Sequence, residues 1–204
     1  MTPIRIYLDP GHGEGTTGRR DPGAIGPTGL TENEVTFDVA KRLGHLLREK
    51  GFQTVGATLN ASRDDENLNE AIRAANAAKV DLFFSIHCNA AVSPRAKGVE
   101  AWYGGSATAQ VVTEAILRRI GEQLAGGKGQ WVEQKRYPLV NRGAKRGRFG
   151  VLRLTHMPAV LVELAFISNS QEETWLRDRR VRQQFAQAIA DGIADVFQKK
   201  GAER

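Results

Sequence analysis

Four residues in this 204-residue chain have the types and positions to do chemistry: His12, Glu32, His87 and Glu163. His12 closes the run "YLDPGH" and is followed by "GEG", so a β-rich segment delivers an imidazole into a bed of glycines. Glycine tolerates positive φ and lets a ligand approach the backbone closely, which suits a point of access. His87 ends "LFFSIH" (82–87), the nearly continuous apolar run of a central strand buried on both faces. Each imidazole also has a bland reading, a turn histidine for His12 and a satisfied core histidine for His87.

Two glutamates in "TGLTENEVTFDVAKRL" sit two residues apart and have different addresses. The spacing predicts a helix from Thr31 to Lys50, ended by Gly51, with Val35, Val39, Leu43 and Leu46 on its apolar face. Its polar face carries Glu34, Asp38, Lys41, His45 and Arg48. Glu34 lies three residues after Thr31, the spacing of a capping box, and also suits the helix dipole. Glu32 lies three before Val35 and seven before Val39, on the buried side, where an unpaired carboxylate is costly. The competing reading of Glu32 is another favourable first-turn acid.

In open α/β sheets, sites collect at the carboxyl ends of the strands. His12, His87 and Glu32 together offer two neutral nitrogens and a carboxylate, a common ligand set for catalytic zinc, which keeps a fourth position for water. Glu163 interrupts "AVLVELAF" (159–166), a strand apolar on both sides of it. Beside an activated water it is a natural general base; the structural alternative is an ion pair with one of the arginines.

The elements that must position these residues alternate. Strands are expected at 4–9, 52–57, 82–87, 98–104 and 159–166, and helices at 31–50, 68–79, 108–124 and 181–200. Residues 126–150, glycine-rich and basic, read as a long loop. With no repeat and no linker, the chain reads as one α/β domain. Gly13, Gly15 and Gly18 satisfy G-x-G-x-x-G, but a loop rather than a helix follows, so no dinucleotide site is expected.

Composition narrows the class. A formal charge of +6 suits an anionic partner without selecting one. The lone Cys88 excludes an intramolecular disulfide framework and any cysteine-rich zinc motif. No apolar run reaches the ~18 residues of a membrane span. The N-terminus enters a strand with no signal peptide, so the chain is expected to act where it is made, to be exported by something else, or to be a catalytic domain cut from a longer protein.

The motifs "LDPGHG", "DPGAIG" (21–26), "GLTENEV" (29–35), "SR" (62–63) before "LNEAIRAAN", "FFSIHCNA" (83–90), "GVEAWYG" and "PAVLVELAFISN" (158–169) occur in order across almost the whole chain. In these the chain resembles the zinc-dependent N-acetylmuramoyl-L-alanine amidases of the amidase-3 type, found in autolysins, sporulation hydrolases and phage endolysins. The resemblance implies a catalytic domain over 1–204, with an open, twisted, mostly parallel central sheet flanked by helices on both faces. It implies one zinc per chain on His12, Glu32 and His87, with Glu163 as acid/base, and it selects Glu32 over Glu34. It implies a peptidoglycan substrate.

The chain departs from the family in having Glu14 where a second glycine is usual, and in "TTGRR", which lengthens the next loop. His45 and His156 are expected not to be ligands. Two other functions compete with this one. A zinc carboxypeptidase-like hydrolase would need a clamp for a terminal carboxylate. A wall- or nucleic-acid-binding module using "KRYPLVNRGAKRGRFG" (135–150) would leave four inward polar residues unexplained. The expectation is a monomer without a dedicated nucleic-acid site, whose basic surface attracts anionic wall polymers. Residues 126–150 lack the apolar periodicity to plug the site, so an open site is expected.

Overall fold

Segments of period two and period 3.6 alternate along the chain, and a computed structural model converts them into a layered sheet. It describes residues 2–14, 20–56, 68–125 and 139–198. Strand β1 (Arg5–Pro10) leads to a small ribbon, β2 (Gly13–Glu14) and β3 (Arg20–Asp21), and then to α1 (Glu32–Glu49). Next come β4 (Gln53–Val55), α2 (Leu68–Ala78), β5 (Leu82–Asn89), β6 (Val99–Tyr103) and α3 (Ala107–Ile120), which continues as a π-helical turn, Gly121–Ala125. The chain finishes with β7 (Asn141–Arg146), α4 (Gly150–Leu154), β8 (Ala159–Phe166), α5 (Ser170–Arg177) and α6 (Arg179–Phe197).

Six strands form one open sheet in the order β4-β1-β5-β8-β6-β7. The first four are mutually parallel; β6 runs antiparallel to β8 and parallel to β7. This is the mostly parallel, helix-flanked α/β sheet expected from the sequence.

Alternation along the central strands divides the core in two. Ile6, Leu8, Phe84, Ile86, Val160 and Val162 pack with the apolar faces of α1, α3 and α6. Tyr7, Phe83 and Leu161 face the other way, onto Ala71, Ile72 and Ala75 of α2 and Val151 and Leu152 of α4. On this second face the register places Asp9 beside Ser85, His87 beside Glu163 and Glu163 beside Glu100. On β1, β5 and β8 these residues follow an apolar residue by two or four positions, and on the antiparallel β6 Glu100 precedes Trp102 by two, so the same face turns from apolar to polar toward the carboxyl ends of β1, β5 and β8. The fold thereby assembles a row of polar groups on a rigid base.

Several expectations need correction. Residues 139–150 are not all loop: β7 lies there, bulged opposite Val99–Ala101, with Gly143 at φ 86. The segment 126–138 lies outside the described residues, as does most of what separates β4 from α2. The second strand is shorter than expected, and the last helix begins at Arg179, where the Asp178 side chain accepts from Arg180 N.

The capping box at Thr31 does not form; the Thr31 hydroxyl donates to Asn33 Oδ1 instead. The loop backbone does that work, Glu32 N donating to Ala24 O and Asn33 N to Pro22 O. Glu34 is thus available to pair with the buried Arg182, 2.9 Å away.

Candidate active site

The sheet's polar row and the start of α1 converge at one place. Gly11 N donates to Ile86 O, holding the chain to β5 one residue past the end of β1. His12 then takes φ 67, a left-handed conformation uncommon outside glycine, and so turns off the strand direction. Gly13 and Gly23 take positive φ as expected of glycine, 139 and 65, and His12 does so without glycine's freedom.

Glu32 is the hub. His12 Nε2 lies 3.2 Å from its Oε2, and His87 Nδ1 lies 3.0 Å from its Oε1. Ala24 N donates to Oε2 and Cys88 N to Oε1. The two imidazoles stand edge to face, centroids 5.3 Å apart. One ligand atom from each of His12, Glu32 and His87 lies within 4.8 Å of the others, the one such group among the described residues. Four ligands at ~2.0–2.1 Å from a tetrahedral ion stand roughly 3.3 Å from one another, so the donor set and its spacing fit zinc. Helical periodicity separated Glu32 from Glu34 correctly, and the buried glutamate has its partners.

Two glycines make room for this set. A Cβ on Gly11 would come 2.2 Å from His87 Cε1, and one on Gly23 would come 2.6 Å from both Glu32 Oε2 and His12 Cδ2.

The protonation pattern follows from the contacts. Burial opposes charge on Glu32, but hydrogen bonds with His12 and His87 outweigh it and hold the carboxyl far below its usual range. The hydrogen bond to Glu32 lifts His12 to about 9, with Asp21 adding to it. Burial works against protonation of His87, yet Glu32 and nearby Glu163 raise it above its ordinary value. Metal binding at such a cluster displaces protons.

Glu163 sits on β8 between His87 of β5 and Glu100 of β6. Its Oε2 is buried without a hydrogen-bond partner. Burial is the main reason its carboxyl is pushed up to about 7; His87 opposes this, and the charges of Glu32 and Glu100 reinforce it. The alternative of an arginine partner is not what the side chains do: Arg142 and Lys145 both bind Glu100.

His45 is exposed beside Glu49, and His156 is exposed with its backbone N bonded to Asn76 Oδ1; neither joins the cluster. Sequence reasoning missed Asp21, whose Oδ2 lies 2.8 Å from His12 Nδ1 and so leaves Nε2 to face Glu32. The available signal was an acid opening "DPGAIG", the loop that also brings Ala24 N to Glu32.

The described geometry has recognisable relatives. The family model described as N-acetylmuramoyl-L-alanine amidase matches residues 6–195. The N-acetylmuramoyl-L-alanine amidase LytC of Bacillus subtilis is 36% identical over 193 residues, which are 94% of this chain and 35% of that protein. An endolysin of Bacillus phage SPP1 is 33% identical, over 96% of this chain and 66% of that protein. Thus the chain spans about a third of the one relative and about two thirds of the other. Among solved structures, the N-acetylmuramoyl-L-alanine amidase AmiC2 of Nostoc punctiforme superposes with TM-score 0.80 at 30% identity, covering 96% of this chain and 97% of that one.

Proposed function

The chain belongs to the N-acetylmuramoyl-L-alanine amidase family, and from that premise we propose that it hydrolyses bacterial cell-wall peptidoglycan. The bond cut is the amide between the lactyl group of N-acetylmuramic acid and the first stem residue, L-alanine. The observation that carries this is the apposition of a His12–Glu32–His87 ligand set with the half-buried Glu163 on the adjoining strand, whose Oε2 is buried without a hydrogen-bond partner. We assign the first three as ligands of one zinc ion per chain, Glu163 as general base and acid, and residues 1–204 as the catalytic domain.

Zinc held there would supply Lewis acidity, drawing the pKa of water toward ~7 and polarising the amide carbonyl. The remaining work falls to the protein. Glu163 accepts a proton from the attacking water and delivers it to the departing alanine nitrogen. Burial suits it to both roles, because it opposes the charged form and holds the carboxyl above its ordinary range, so that the proton is not surrendered as readily as by an exposed acid. An ion-paired carboxylate would give up its proton readily and accept one poorly. Asp21 holds the His12 ring in one tautomer, and Gly11 and Gly23 keep side chains from displacing His87 and Glu32.

The wall is the site of action, and the +6 charge favours association with anionic wall polymers. No helix among the described residues is long and apolar enough to cross a membrane. The test is loss of turbidity from a suspension of purified peptidoglycan. Zinc-loaded protein should clear it, chelation should stop clearance, and added zinc should restore it; clearance that persists in metal-free protein would remove the ligand assignment.

A further inference from the structure

Glu163 has a neighbour that the proposed reaction does not use. Glu100 lies opposite it in the β6–β8 ladder and is 4% exposed. Paired residues of this kind have Cβ atoms about 4.5–5.5 Å apart, so Glu100 is the next polar group beyond Glu163, counting away from His87. It is heavily engaged. Arg142 Nε and Lys145 Nζ both donate to its Oε2 at 2.6 Å, and Asn89 Nδ2 donates to its Oε1 at 2.9 Å.

One cation would neutralise a buried carboxylate; here Glu100 holds two, and Arg142 also lies within electrostatic reach of the buried Glu172. Both come from the edge strand β7, and their side chains are 38% and 32% exposed. Aromatic faces fix them further, the Arg142 guanidinium 5.0 Å from the Phe166 centroid and Lys145 Nζ 5.0 Å from that of Trp102. A lysine has three N–H donors and arginine five, so both retain donors beyond those Glu100 takes. The arrangement is a preorganised pair of cations, kept off Glu163 by a dedicated carboxylate and presented to solvent beside it.

We propose that Arg142 and Lys145, anchored on Glu100, form a subsite for a free carboxylate on the peptide arm of the substrate, one residue beyond the scissile amide. The inference rests on the amidase reading. The distances agree: sheet strands are about 4.8 Å apart, and both cations reach back over β6. One peptide unit spans about 3.8 Å between Cα atoms, which puts the next residue's carboxylate roughly 5–7 Å from the scissile nitrogen. In the stem peptide that residue is a glutamate linked through its γ-carboxyl, whose α-carboxyl is either free or amidated. Charge-assisted pairing would favour the free acid, since the carboxamide brings no charge and offers the remaining donors of Arg142 and Lys145 only a neutral oxygen.

The test uses two muramyl-peptides that are identical except for a free α-carboxylate or its carboxamide on the second stem residue. For the zinc-loaded chain we expect kcat/KM to favour the carboxylate by about tenfold or more, the scale of one charged hydrogen bond. Lys145→Met and Arg142→Gln should each bring that ratio toward one. A purely structural staple between β6 and β7 would instead lower both rates together and leave the ratio unchanged. Equal rates for the native chain, or a preference that survives in Lys145→Met, would overturn the subsite. Because the native ratio is itself diagnostic, a variant that fails to fold does not decide the matter. Mass analysis separates the two claims. Cleavage at the muramyl amide without preference removes only the subsite, whereas cleavage at the far carboxyl end of the stem removes the amidase reading and the subsite with it.

Discussion

Replacing Gly11 with alanine adds one methyl group and asks whether geometry at the end of β1 governs metal binding. Gly11 is not among the residues with positive φ, so its backbone accepts alanine. Such a change ordinarily stabilises a fold by about 0.4–1 kcal/mol through the unfolded chain. Here the new Cβ would lie 2.2 Å from His87 Cε1, 2.4 Å from Nδ1 and 2.6 Å from Nε2. Contacting carbon atoms prefer ~3.5–4.0 Å, so the ring must retreat by roughly 1.3 Å or more. Metal–ligand distances tolerate only about ±0.2 Å, so the His87 bond is lost. Disturbing a group that merely orients a ligand already costs about 10–100-fold in affinity, so displacing a ligand should cost at least ~100-fold, or about 2.7 kcal/mol. The assay is zinc titration against a competing chelator, alongside thermal unfolding with and without zinc. Gly121→Ala is the control, since nothing lies within 4 Å of its Cβ and its φ is −60. Native zinc affinity in Gly11→Ala would refute the placement of His87 as a ligand.

Other perturbations separate the roles of the acids. Glu163→Gln should fold, keep zinc and lose about 10²-fold or more in kcat; near-native turnover by a zinc-loaded variant would remove Glu163 from the proton transfers. Glu32→Gln should lose most of its zinc affinity, while Glu34→Ala should keep it and lose less than about 1 kcal/mol in urea unfolding. The second effect is small because the Glu34 side chain is 57% exposed and Arg182 retains Asp38 and the Leu176 carbonyl. In metal-free protein, the raised pKa of His12 gives stability that is complete below 6.5 and is lost as pH rises through about 9. The depressed pKa of Glu32 gives stability present above 4.5 and lost as pH falls below it. The metal-free Tm should therefore decline from pH 6.5 to 9.5 while the increment due to zinc grows, and a flat metal-free profile with a constant increment would contradict the assignment.

What the sequence made legible follows from burial. β5 and β8 are apolar on both faces, so His87 and Glu163 stood out as polar intrusions, and helical period alone turned Glu32 inward and Glu34 outward. What it hid lies where burial is one-sided or the contact is distant. β7, "NRGAKR", pairs on one side only, bulges at Gly143 and has no apolar alternation, so it read as loop. The spacing of Thr31 and Glu34 matched a capping box, but two loop carbonyls had already taken the first N–H groups of α1, and Arg182, far along the chain, claimed Glu34. That Arg142 and Lys145 bind Glu100 rather than Glu163 depends on the reversed direction of β6 and β7, which no local pattern encodes.

The central claim is the identity of the bond, and the chemical ends left in digested peptidoglycan test it most directly. Purified peptidoglycan is incubated with zinc-loaded protein, and new amino termini and new reducing sugars are both quantified, with mass analysis of the released peptides. Cleavage at the muramyl amide leaves new L-alanine amino termini, intact stem peptides and no new reducing ends, and Glu163→Gln should release neither the amino termini nor the peptides. Reducing ends, or stems shortened at their carboxyl terminus without free L-alanine, would contradict it.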